Sequence, residues 1–313
     1  MNQDLGFGIT LLELSDRSGK YPISGYLLQA GGKNYVIETG PAGSNGVILD
    51  ALVDAGLGVF DLDGILVTHI HLDHSGGVGL LAEQCPKAKI YVHPKGAAHL
   101  IDPSKLEKSA RAVYGDLFEP LFAPIRPVAP ERVVLVEEGF TLEVSPGRRL
   151  EFINAPGHAF HHYVIWDPLS EGFFTGDAAG MFYPKALETY EVPLCLPAST
   201  PVQFDPKAMA ETLTRLASFH PKRLYYTHFG MTEQAGAMLT QMLGWMPLYG
   251  QDAPEHFRKY RDLDALAQFL YQEIGTKAQA LGLPNLRGLA GLKFDCGLNA
   301  QGIAAHVEFS ERV

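Results

Sequence analysis

The run Thr68-His69-Ile70-His71-Leu72-Asp73-His74 places four metal-competent side chains within six residues. It follows the apolar stretch Gly64-Ile65-Leu66-Val67, which reads as a short buried strand. Ligands at the end of a strand are held by the scaffold before any ion arrives. With 12 histidines in 313 residues, such a cluster should arise by chance about once in a thousand chains of this kind. A site of this kind is best held on rigid strand ends, and the run itself reads as a metal site.

The rest of the chain supplies further strands to fill that requirement. Segments 9–14, 25–28 and 34–38 read as an antiparallel meander with glycine-rich turns. Helical spacing runs through 47–57, 78–84 and 206–219, and further strands are expected at 89–93, 133–136, 150–153, 163–166, 172–175 and 223–227. Strands followed by helices, twice over, predict a layered α/β sandwich. Residues 102–130 combine a charged helical stretch with Pro120, Pro124, Pro127 and Pro130, and read as a surface excursion forming a lid or wall of the site. After His228 the apolar spacing becomes helical throughout, and a boundary falls near 230.

Three more segments end an apolar strand in a possible ligand. Phe152 to Asn154 leads through Ala155-Pro156-Gly157 to His158, Phe173-Phe174-Thr175-Gly176 leads to Asp177, and Tyr225-Tyr226-Thr227 leads to His228. Gly176 permits close backbone approach beside its aspartate. Each is weak alone, since a strand-end histidine is more often a hydrogen-bonded core group. Their succession carries the weight.

The ordered series His69, His71, Asp73, His74, His158, Asp177, His228 resembles that of the metallo-β-lactamase-fold hydrolases, in particular the glyoxalase II-like branch, over roughly residues 5 to 230. The resemblance implies an αββα four-layer sandwich for residues 1–230, with a helical extension at 231–313 packing on the core. It also implies a dinuclear centre: His69, His71 and His158 on one ion, Asp73, His74 and His228 on the other, and Asp177 bridging. Asp73 and Asp177 would be the catalytic carboxylates. Nitrogen and oxygen donors without thiolate suit two divalent ions, zinc by default, with iron or manganese possible. The expected reaction is attack by a metal-bridging hydroxide on an ester-like bond of a small molecule: a thioester, a lactone or a related acyl bond.

Alternatives within the same fold are a persulfide dioxygenase-like oxidoreductase with a single iron and a phosphodiesterase or nuclease. The complete ligand set favours two metals over one. A formal net charge of -10 disfavours a nucleic-acid partner. His162, four residues after His158, is expected to orient a ligand, and His161 reads as a surface residue. Tyr183 is a candidate substrate contact, with Lys185 a looser one. In the acyl-homoserine lactonases of the fold a catalytic tyrosine stands three residues after the bridging aspartate, a position held here by Gly180. The segment Asn299-Ala300-Gln301-Gly302 reads as a cap or turn without chemistry. The start Met1-Asn2-Gln3-Asp4 lacks signal-peptide character, and no apolar run approaches the ~20 residues that span a bilayer. A cytoplasmic protein is expected, with a homodimer as one form open to it.

Overall fold

A computed structural model describes residues 2–15, 22–183, 193–199, 201–280 and 291–312. The chain divides into two compact units, one made of residues 1–154 and 161–176, the other of 155–160 and 177–313.

The first unit is built on a seven-stranded sheet whose strands lie side by side in chain order. They are β1 (Gln3–Asp4), β2 (Ile9–Ser15), β3 (Pro22–Ala30), β4 (Lys33–Ile37), β5 (Gly64–Leu66), β6 (Lys89–Val92) and β7 (Val133–Leu135). The β1–β4 neighbours are antiparallel, as the meander requires, and β4 to β7 pair in parallel. Parallel pairing needs crossovers, and helices α1 (Asn45–Asp54), α2 (Leu72–Ser75), α3 (Val78–Gln84), α4 (Pro94–Ile101), α5 (Ser104–Tyr114) and α6 (Phe118–Phe122) lie in those connections. Ile48, Leu52, Leu81 and Leu100 pack with Leu27, Val36, Ile65 and Ile90 in one core cluster.

A second antiparallel meander follows: β8 (Thr141–Ser145), β9 (Arg148–Asn154), β10 (Tyr163–Asp167) and β11 (Gly172–Gly176). The two sheets of this unit meet through aromatic side chains. Tyr26 of β3 stands edge-on to Phe174 of β11 at 5.2 Å, and the Tyr163 hydroxyl donates to the Tyr91 carbonyl at 2.9 Å. The strand tips carrying residues 68 and 176 come together in the same way. A Cβ at Gly176, where φ is +48°, would stand 2.3 Å from Thr68 Oγ1 and 2.7 Å from His162 Nε2. Only glycine fits that approach.

The second unit contains the hairpins β12 (Met181–Tyr183) with β13 (Leu194–Leu196) and β14 (Arg223–Tyr226) with β15 (Met231–Thr232). Helix α7 (Pro206–Ser218) starts at Asp205, whose side chain accepts from the amides of Lys207 and Ala208 at 3.0 Å each. The expected helix-rich end is present as α8 (Ala235–Pro247), α9 (Ala253–Tyr260), α10 (Leu263–Ala280) and α11 (Leu292–Ser310). Trp245, Tyr249 and Phe257 are buried in this unit and form its core. Residues 299–302 lie inside α11, so the cap or turn expected there is instead continuous helix.

Candidate metal centre

Each unit carries its own convergent donors. In the first, the chain leaves β5 through buried Val67 and Thr68, and the Thr68 amide donates to Glu38 Oε1 at 2.6 Å. His71 then serves as the N-cap of the short helix α2, which brings the His74 ring to 4.0 Å from that of His69. The ring nitrogens His69 Nε2 and His71 Nδ1 stand 2.9 Å apart. His74 Nε2 and Asp73 Oδ2 are separated by 3.7 Å. Donors bound at about 2.05 Å to one ion stand roughly 2.9–3.4 Å from each other. The first pair matches that spacing and the second lies just beyond it.

Glu38 is the carboxylate that fixes this half. Its second oxygen hydrogen-bonds His74 Nδ1, which leaves Nε2 as the ring atom facing Asp73 Oδ2, 3.7 Å away. Glu38 itself has φ of +62°, an uncommon backbone state for a side chain of this size. Thr39 completes the grip, its amide and hydroxyl both donating to the His74 carbonyl, at 2.9 and 3.1 Å. In the sequence Glu38 reads only as the close of a strand. An acidic residue ending the apolar strand 34–37 is the available signal, by the logic applied at 68.

His162 is buried, with its ring stacked on His69 at 4.5 Å between centroids. His161 is also buried and stands edge-on to His71 at 5.6 Å. The surface position expected for His161 is therefore wrong. Two adjacent histidines entering β10 both turn inward because the chain there is not yet in strand alternation.

The second unit brings together the remaining three. The Asp205 amide donates to the Gly157 carbonyl at 2.8 Å and Thr212 Oγ1 donates to the Pro156 carbonyl at 2.7 Å, so α7 anchors the 155–160 segment. Gly157 has φ of +132°, and a Cβ there would meet the backbone of Met209 at 2.4 Å. His158, fully buried, hydrogen-bonds the Ala198 carbonyl at 2.7 Å through Nδ1. Its Nε2 faces Asp177 Oδ2 at 3.4 Å, while His228 Nε2 faces the other oxygen, Oδ1, at 3.3 Å. One carboxylate thus has a histidine on each side at the spacing of ligands sharing an ion.

Tyr183 lies in the same unit, buried and stacked on Phe229 at 5.3 Å. Its hydroxyl donates to Asp295 Oδ2 at 2.7 Å. Burial pushes the Asp295 carboxyl up to about 6; the nearby Asp177 adds to that rise, and the Tyr183 hydrogen bond and His228 oppose it. Asp295 is invisible in the sequence because nothing around it resembles a motif. Lys185 lies outside the described residues. Gly180, with φ of +81°, has no room for a side chain: a Cβ would meet the Leu196 carbonyl at 2.4 Å and Met242 Sδ at 2.5 Å. The place a lactonase-like tyrosine would need is closed.

The donor set fits divalent ions, being nitrogen and oxygen with partners that fix the ring orientation of His74 and His158. Residues 18–228 match the family model described as the metallo-beta-lactamase superfamily. The chain is 31% identical over 194 residues to the metallo-beta-lactamase fold-containing protein ST1585 of Sulfurisphaera tokodaii, covering 59% of this chain and 69% of that one. The solved structure of ST1585 superposes with a TM-score of 0.61, spanning 76% of this chain and 85% of that one, at 26% identity. An atrochrysone carboxyl ACP thioesterase of Cryptosporiopsis sp. is 26% identical over 171 residues, 52% of this chain, which spans only 41% of that relative's length. The family protein TTHA1429 of Thermus thermophilus shares the fold over 97% of this chain and 94% of its own, with a TM-score of 0.66 at 19% identity. That breadth takes in the C-terminal helices as well as the sandwich.

Proposed function

The chain belongs to the metallo-beta-lactamase superfamily, and from that premise we propose that it is a dinuclear metal-dependent hydrolase of an ester-like bond in a small molecule. The observation that carries this reading is Asp177, with His158 on one carboxylate oxygen and His228 on the other. The first unit supplies His69 with His71 at 2.9 Å and, slightly wider, Asp73 with His74 at 3.7 Å. We assign His69, His71 and His158 to one ion, Asp73, His74 and His228 to the second, and Asp177 to both. We place this catalytic region within residues 1–230, with 231–313 as its helical extension.

Bound there, two divalent ions would supply a nucleophilic hydroxide near neutral pH and would offset charge on the departing group. The residues do the rest. Asp177 holds His158 and His228 at its two oxygens, and Asp73, whose side chain is 28% exposed, would accept a hydrogen bond from the attacking water and orient it. His162, stacked on His69, holds that ring in place. Tyr183 enters as a pair with Asp295, its proton already committed. Among acyl bonds, likeness to a protein named a thioesterase and the closed space at Gly180 favour thioesters over lactones.

The test is a panel of thioesters, lactones and phosphodiesters on metal-quantified protein, with an Asp177→Ala variant beside it. The expected result is two metals per chain and acyl-bond hydrolysis, both lost together in the variant. One iron per chain with oxygen consumption would overturn the reading, as would full metal content in Asp177→Ala.

A further inference from the structure

Asn299 lies within helix α11 and is only 4% exposed. Asparagine is a poor helix former, and burying its amide is unfavourable unless every polar atom is matched. Here both ends are matched. Oδ1 accepts from the Ser199 amide at 2.7 Å and from the Ser199 hydroxyl at 3.0 Å. Nδ2 donates to the Pro197 carbonyl and to the Tyr249 hydroxyl oxygen, each at 3.1 Å. The Asn299 backbone carbonyl also lies 3.1 Å from the Ser199 hydroxyl.

These contacts grip residues 197 and 199, the two neighbours of Ala198. With both flanking peptides tied to the helix, the Ala198 carbonyl has a fixed direction, and it is this carbonyl that His158 Nδ1 meets at 2.7 Å. The bond demands the Nδ1–H tautomer, which leaves Nε2 unprotonated and aimed at Asp177 Oδ2, 3.4 Å away. We propose that Asn299 is a positioning residue of the metal centre, setting the tautomer and aim of His158 through the 197–199 segment. This rests on the reading of His158 as a metal ligand. It gives the C-terminal helix a role in the centre without contributing a donor to it.

A purely architectural role for Asn299 predicts lost stability and nothing else. Positioning predicts lost affinity at one of two metal sites in protein that is still folded. Asn299→Ala, Ser199→Ala and His158→Ala would be compared in the full chain by chelator competition with zinc, by the visible spectrum of the cobalt-loaded protein, and by melting of metal-stripped protein. Asn299→Ala is expected to weaken one site by roughly 10–100-fold and shift its cobalt bands, leaving the other site unchanged. Ser199→Ala is expected to weaken the same site by a smaller factor, and it decides the matter if Asn299→Ala does not fold. Wild-type affinity and spectrum at both sites, with only a lowered melting temperature, would overturn the proposal. His158→Ala separates the two claims: retention of both metals would sink the ligand assignment itself. Loss of one metal there, with Asn299→Ala and Ser199→Ala unaltered, would sink only the positioning role.

Discussion

At the scale of single residues, the charge on Glu38 matters less than its having two acceptor oxygens. It serves two donors at once, the Thr68 amide and, in the tautomer that a metal at Nε2 would require, the Nδ1–H of His74. Glutamine has one acceptor and one donor, so either orientation sets an N–H against an N–H or forces His74 into the opposite tautomer. Glu38→Gln is therefore expected to lower metal affinity by roughly 10–100-fold while barely changing the volume of the side chain. Isothermal titration with zinc measures it, and an affinity within twofold of the parent would show that His74 is oriented by other contacts. The seven donors we propose are legible in the sequence because residue type and the end of an apolar strand coincide in four places. Ser199 and Asn299 are not, since what makes them matter is a partner elsewhere in the chain, and Glu38 shows only as an acidic strand end with nothing local to name its partners. No local pattern encodes that 299 meets 199.

At the scale of elements, the proline-studded excursion proves to support the histidine loop from behind. Helix α5 buries none of its residues, whereas α6 contributes Phe118 and Phe122 to a cluster with Leu72, the residue between His71 and Asp73. Arg111 of α5 sits over the Phe118 ring at 4.0 Å and pairs with Glu107 and Glu119. The charged helix thus clamps the aromatic one, and the aromatic one backs the ligands. Phe118→Ala should destabilise the protein by about 3 kcal/mol in urea unfolding, within the usual range for a buried phenylalanine. It should also weaken metal binding several-fold, because Leu72 loses its backing. Leu117→Ala, at an exposed neighbour, should do neither. Unchanged metal affinity in the Phe118 variant would mean that α6 contributes to stability without supporting the histidine loop. The sequence indicates that 102–130 leaves the sandwich, but only the fold shows which side of it turns inward.

At the scale of the whole molecule, the sulfur chemistry is silent. Cys85, Cys195 and Cys296 are buried and unbridged. Burial pushes their thiols up to about 11, about 12 and about 12. Native protein at pH 8 should therefore react with a thiol reagent about 100-fold or more slowly than unfolded protein, which should expose all three. Because the folded thiols hold their protons more tightly, stability is expected to fall as pH rises above about 9, where unfolded thiols ionise. Rapid titration of even one thiol in folded protein would contradict this burial. No helix among the described residues is long and apolar enough to cross a membrane.

The bond between Ser199 and Asn299 joins residues 100 positions apart, and that span has a consequence in time. On a ribosome adding about 5–20 residues per second, the segment that aims His158 waits roughly 5–20 s for the side chain that holds it. The quartet at 69–74 and Glu38 have by then long been made. One half of the centre is thus ready early in synthesis, and the other only once the last helix has docked. A chain cut short before residue 299 would keep all seven donors yet hold His158 loosely. Firm loading of the centre would then wait on the synthesis and docking of helix α11.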